Sequence, residues 1–146
     1  MIKTKVFDEV NRPTNIEKSE IITFLFENLQ EYGDPKKDIQ KAIDYSLKEF
    51  VSFGGFTMLI MEDNKIMGAT VINKTGMAGY IPENILVYIA AHKDYRGKGL
   101  GKTLMQKAID YSKGDIALHV EANNPAKKLY EKLGFTNPYL EMRLKK

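Results

Sequence analysis

Apolar positions recur at helical spacing in two early stretches of the chain, then alternate or run together in later ones. Ile21, Leu25, Leu29 and Tyr32 share one helical face behind a polar cap near Asn15. Asp34 followed by Pro35 marks a second helix start, with Pro at the first helical position, and Ile39, Ile43, Leu47 and Phe50 supply its stripe. Residues 2–8 (IKTKVFD) predict a strand ahead of both. After Gly54 and Gly55 the period shortens. FTMLIMED, a turn at Asp63-Asn64 and KIMGATVIN predict a hairpin, with Met58, Met61 and Met67 as core filling. Residues 75–84 are turn-rich. ILVYIAA (85–91) is nearly all apolar, as in a central strand buried on both faces. A glycine-rich stretch leads into a helix through Tyr111, which Gly114 stops. IALHV (116–120) predicts a strand, PAKKLYEKL a helix opened by Pro125 and ended by Gly134, and YLEMRLK (139–145) a last strand. The order β, two helices, three strands, helix, strand, helix, strand predicts an α/β fold around one mixed sheet.

Composition narrows the chemistry. The 146 residues suit one domain spanning 1–146. No Cys is present, which excludes disulfides, thiolate nucleophiles and Cys-based zinc sites, and two His are too few for a metal site, so no metal is expected. A net charge of +3 is too small an excess to argue for nucleic-acid binding but suits one anionic ligand. MIKTKVFDEV has no apolar run of a leader, and no stretch reaches the roughly 20 apolar residues of a membrane span, so a cytoplasmic protein without membrane contact is expected.

The stretch RGKGLGKT (96–103) raises the question of a phosphate ligand. A nucleoside-triphosphate loop needs a Gly where Arg96 stands. A dinucleotide fingerprint fits Gly97 and Gly99 but meets Lys102 at its third glycine. The spacing that holds is R-x-x-G-x-G: Arg96, Gly99, Gly101. A buried strand delivers the chain to a tight turn, and the free amides of the following helix point at whatever lies above, with Arg96, Lys98 and Lys102 adding positive charge. An ordinary strand-to-helix turn with solvated lysines is the plain alternative.

A second stretch extends the pattern. YRGKGLG, and NNPAKKLYEKLGF at 123–135, together resemble the GNAT superfamily of acetyl-CoA-dependent N-acetyltransferases, in that family's order and separation. The resemblance is specific over residues 55–135. It implies a single domain with a mixed central sheet, helices on both faces and splayed central strands. It places a pantetheine arm against main-chain groups near Ile89 and Ala91. It places the pyrophosphate of acetyl-CoA on the amides of Gly97, Lys98, Gly99, Leu100 and Gly101, with Lys102 at the helix start. The second-motif asparagine falls on Asn123 by spacing to Tyr130, or on Asn124 by spacing from the strand. Tyr130 matches the tyrosine beside the thioester sulfur, where it could give the leaving thiolate a proton. A core tyrosine on an amphipathic helix is the other reading of that residue.

Two departures from the pattern matter. Many members carry a glutamate base in the central strand, and here Val87 takes that place. Glu83, His92, His119, Glu121 and a water chain remain open as candidates. The chain also has one strand past Phe135 where members have more, so the acceptor site is expected to be open, or walled by the first two helices or a second copy. YLEMRLK could pair with a dimer mate, and Met77 could line the acceptor site. The resemblance implies acetyl transfer to a primary amine, with a small molecule such as an amino acid favoured. A protein or peptide acetyltransferase and a non-catalytic acyl-CoA sensor are the alternatives.

Overall fold

Capping chemistry decides where the first helix begins. In the computed structural model, which describes residues 1–146, helix α1 spans Asn15–Leu29 with Thr14 as its N-cap. The Thr14 hydroxyl accepts from the Glu17 amide at 3.1 Å, and the Glu17 carboxylate accepts from the Thr14 amide at 2.9 Å. Asn15, the expected cap, is already helical, because Thr14 is the residue standing three places before a glutamate. Thr14→Ala is expected to cost about 1 kcal/mol of stability, read as a lower denaturation midpoint. An unchanged midpoint would mean that this end of α1 frays without consequence.

Helix α2 (Lys36–Leu47) has Pro35 as its cap rather than its first residue. It ends at Leu47 because Lys48 turns left-handed, at φ 55° and ψ 40°. Phe50, expected on the stripe, therefore lies past the helix and is exposed.

The strands β1 (Ile2–Phe7), β2 (Gly55–Glu62), β3 (Lys65–Lys74), β4 (Asn84–Ala91) and β5 (Ile116–Leu118) form one sheet in that order. The first four pair antiparallel, while β5 runs parallel to β4 and is reached through helix α3 (Leu100–Tyr111). Asp63 and Asn64 both adopt positive φ in the β2–β3 turn, which residues of this type tolerate. Helix α4 (Ala126–Lys132) follows β5. The expected α/β fold around one mixed sheet is thus present.

The sheet carries a core on each face. Ile21, Leu25, Ile39, Ile43 and Leu47 of α1 and α2 pack on Leu59, Ala69 and Val71. Leu104, Met105 and Ala108 of α3 pack with Tyr130 of α4 on Met58, Ile60 and Ile72. Burial on this scale, at roughly 25 cal/mol per Å² of apolar surface, is the main term holding the layers together. Met58 and Met67 are core residues, as expected, and Met61 is partly buried.

Strand β4 is packed on both faces, as expected, with Leu86 in the α3–α4 core and Tyr88 and Ala90 in the α1–α2 core. Buried and half-buried residues alternate along its whole length. It also bulges. Val71 pairs with Tyr88 and Ile72 with Leu86, which leaves Val87 as an extra residue. A two-residue period would put Leu86 and Tyr88 on one face. The bulge instead sends Leu86 to the α3–α4 core and Tyr88 to the α1–α2 core.

The expected strand at 139–145 is not formed. Tyr139, Leu140, Met142 and Leu144 are all exposed, and the segment makes no ladder. Strand β5 stops at Leu118, short of the expected Val120, so there is little edge to pair with. Contact with its exit is through side chains, Arg143 to His119 at 3.4 Å. No helix is long and apolar enough to cross a membrane.

Candidate active site

The two parallel strands part almost at once. Their pairing covers Asn84↔Ile116, Ile85↔Ala117 and Leu86↔Leu118 only. Beyond Leu86, strand β4 continues to Ala91 with no neighbour on that side. The His92 amide donates to the Met67 carbonyl on β3 at 2.8 Å, and the Tyr88 carbonyl accepts from the Thr70 hydroxyl on the same strand. Strand alternation then turns the main-chain groups of Ile89 and Ala91 into the gap. An extended amide-bearing chain could pair there as a missing strand would.

The glycine turn sits at the open end of that gap. Gly97 and Gly99 have φ of 83° and 77°, in the left-handed region that costs other residues about 1–2 kcal/mol. A Cβ built on either meets nothing within 4 Å, so the space above the turn is free. At Gly101 a Cβ would touch Leu129 at an ordinary 3.7 Å, so that glycine lies against α4 instead. Gly99 caps α3 without a side-chain bond, and the first capping amide to find a carbonyl is that of Thr103, on Gly99. The amides of Gly97 to Lys102 donate to nothing within the chain. They open at the positive end of the α3 dipole, an arrangement suited to phosphate oxygens.

The basic residues divide. Lys98 and Lys102 have no carboxylate partner; Lys98 rests its ammonium over the Tyr95 ring at 5.6 Å. Arg96 is engaged elsewhere. Its guanidinium donates to the Asn28 carbonyl at 2.6 Å and to Gln30 Oε1 at 3.4 Å, tying the turn to the C-terminal end of α1. The Lys93 amide donates to Asn28 Oδ1 at 2.7 Å and adds to the tie.

Structure separates the two asparagines that spacing could not. Asn124 Oδ1 accepts from the Ala126 amide at 2.9 Å, fastening the start of α4. The Asn123 side chain makes no bond within the chain, and its carbonyl accepts from the Tyr32 hydroxyl at 3.4 Å. Tyr130 is 8% exposed, packs edge-on to Phe135 and leaves its hydroxyl without a partner in the chain. Burial pushes its pKa up, so the hydroxyl holds its proton.

The candidate bases fare less well. Glu83 lies at the closed end of the β4–β5 pair, and both its oxygens are taken, by the Asp115 amide at 2.6 Å and the Gly79 amide at 3.1 Å. The Asp115 bond, then the Gly79 bond, hold its carboxyl below the usual range, which weakens it as a base. Glu83, a candidate base from the sequence, here staples the β3–β4 loop to the start of β5. Met77 lies at that same end beside Phe53 and Asn84, not at the gap. His92 stacks against Phe24 and Tyr95 and accepts from the Asp94 amide. His119 and Glu121 are exposed at the exit of β5. Val87, in the place of the strand glutamate, is the bulged residue.

Two contacts across the gap escaped the sequence reading. Residues 30–34, between α1 and α2, reach across it. Tyr32 touches Asn123 beyond β5, and Asp34 accepts from the Tyr88 hydroxyl of β4 at 2.5 Å. The sequence marked the spot only as helix, with Tyr32 on the first apolar stripe and DP at 34–35 as a second start, whereas α1 ends at Leu29 and Tyr32 lies in the turn after it.

The sequence profile of the Acetyltransferase (GNAT) family matches residues 19–135. N-alpha-acetyltransferase 30 of Schizosaccharomyces pombe is 28% identical over 107 residues, covering 68% of this chain and 71% of that protein. Among solved structures, the ribosomal-protein-S18-alanine N-acetyltransferase from Escherichia coli aligns with a TM-score of 0.70 at 17% identity, over 95% of this chain and 80% of that one. An aminoglycoside N-acetyltransferase in complex with CoA aligns with a TM-score of 0.70 at 12% identity, over 100% and 95% of the two chains. Since the profile runs from within α1 to the residue that packs on Tyr130, the chain belongs to the acetyltransferase (GNAT) family.

Proposed function

We propose that the protein binds acetyl-CoA along the β4 gap and transfers the acetyl group to a primary amine of low pKa. The observation that carries this reading is the run of unpartnered amides from Gly97 to Lys102, opening on a gap lined by the Ile89 and Ala91 main chain. Acetyl-CoA supplies an activated thioester. The turn and α3 would hold its pyrophosphate, with Lys98 and Lys102 nearby, and the strand edge would hold its amide-bearing arm. A main-chain N–H of the bulged strand would face the developing oxyanion, and Tyr130 would hydrogen-bond the departing sulfur. Asn123, with its side chain free, suits the second-motif role better than Asn124. Calorimetric binding of acetyl-CoA, followed by thiol release with a panel of amino acids, amino sugars, polyamines and peptides, tests the reading. Binding without thiol release for any amine would leave a sensor of acyl-CoA instead. A peptide N-terminus is a specific candidate acceptor, since the N-alpha-acetyltransferase relative aligns over much of this chain.

The acceptor preference follows from the missing base. Val87 replaces the usual carboxylate and Glu83 is committed elsewhere. The amine must therefore arrive largely neutral. A lysine-type amine, with a pKa of about 10.4, is neutral in roughly one molecule in 2,500 at pH 7, and an α-amino group at about 7.7 in roughly one in six. Turnover over Michaelis constant is expected to favour α-amino over ε-amino acceptors of matched size at pH 7, with the difference narrowing toward pH 9. A preference for ε-amino acceptors at pH 7 would overturn it.

A further inference from the structure

Asp34 is placed across the gap with its charge unmatched. The strap 30–34 is pinned on the β5 side by Tyr32 to Asn123 and on the β4 side by Tyr88 to Asp34. It thus covers the gap on the α1–α2 face, opposite the face where Tyr130 packs. Tyr88 is 8% exposed, and its hydroxyl spends its one proton on Asp34 Oδ2. Asp34 is itself exposed and has no Lys, Arg or His within ion-pair distance, in a chain with net charge +3. One carboxylate oxygen is fixed by the tyrosine and the other is left to a ligand.

We propose that Asp34 selects the acceptor, its carboxylate binding a second positive group carried by an amine whose other nitrogen faces the β4 edge. The proposal rests on the acetyl-transfer reading above and names the acceptor class for it: a dicationic amine. The Tyr88 ring spans the distance from the strand to the strap. Asp34 therefore stands about a tyrosine's length from the main chain that would flank the thioester. That is too far to take a proton from the attacking nitrogen and suited to a group several bonds away. A second positive charge on the same molecule also lowers the pKa of the reacting amine by like-charge repulsion. A multi-amine sugar and a peptide N-terminus followed by a basic residue share this chemistry.

The test compares acceptors that differ in the second charge: Ala-Arg amide against Ala-citrulline amide, and a two-amine sugar against glucosamine. Wild type is expected to favour the charged member of at least one pair by roughly tenfold in kcat/KM, in line with one charge-assisted hydrogen bond. The pair that responds identifies the source. Asp34→Asn should bring that ratio to about one, while the KM for acetyl-CoA holds. Tyr88→Phe, which leaves the carboxylate but frees it to turn, should lower the ratio partway. A ratio that survives Asp34→Asn, or charged members that react no better than neutral ones, overturns the assignment while leaving acetyl transfer intact. If no acceptor releases thiol, calorimetry of Ala-Arg amide and the two-amine sugar on the CoA-loaded protein decides. Binding lost in Asp34→Asn supports the anchor, and absence of binding in wild type overturns it.

Discussion

Gly99→Glu is expected to abolish acetyl-CoA binding while the protein stays folded. The substitution acts twice at one position. Gly99 has φ 77°, so any side chain there carries the cost of a left-handed backbone, about 1–2 kcal/mol. The new side chain is also charged and unobstructed. A Cβ at Gly99 meets nothing within 4 Å, so the carboxylate is free to occupy the open space beside the free amides, where the pyrophosphate would lie. Two like charges about 4 Å apart at an effective dielectric of about 20 repel by about 4 kcal/mol. Solvent access discounts that figure, and a loss on the order of 100-fold or more in affinity remains, at 1.4 kcal/mol per factor of ten. Gly99→Ala separates the two effects. It carries the backbone strain without the charge, so it should lower the melting temperature but leave most of the affinity. Unchanged calorimetric binding in Gly99→Glu would show that the turn does not hold the cofactor.

The turn was legible in the sequence because its chemistry leaves little choice of residue. A left-handed turn with open space above it calls for glycine at 97 and 99, and the helix must start at once if its amides are to be free. The hairpin at Asp63-Asn64 was legible for the same reason. What lay hidden depends on neighbours rather than on local preference. The bulge at Val87 is silent in ILVYIAA, since every position is apolar and the period cannot slip visibly. Asn123 and Asn124 have the same side chain, and only the start of α4 shows which of them is used as a fastener. YLEMRLK has the alternation of a strand, but alternation reports a face and not an edge to pair with, and β5 is too short to provide one. The Asp34–Tyr88 contact joins residues 54 apart, one in a helix start and one in a strand, with no motif linking them.

Tyr130→Phe is expected to lower the turnover number by roughly 10- to 100-fold, as for a lost hydrogen bond to a developing charge, with little change in stability. The ring is what holds Tyr130 in place. It belongs to the α3–α4 core and meets Phe135 at a centroid distance of 6.0 Å. Phenylalanine keeps those contacts, and no bond within the chain is broken, because the hydroxyl has none. The hydroxyl is therefore free for a ligand, and burial raises its pKa above the ordinary value near 10, so it is protonated throughout the working range. A thiol titrates near 8.5, so full transfer of this proton to the thiolate runs uphill. The hydroxyl acts by a strong hydrogen bond to the sulfur as charge builds, and solvent completes the protonation. The loss in Tyr130→Phe should accordingly appear in kcat, leave the KM for acetyl-CoA nearly unchanged, and stay constant from pH 6.5 to 9. Single-turnover rates on wild type and variant give the comparison with the chemical step isolated. Equal rates would assign Tyr130 to core packing alone.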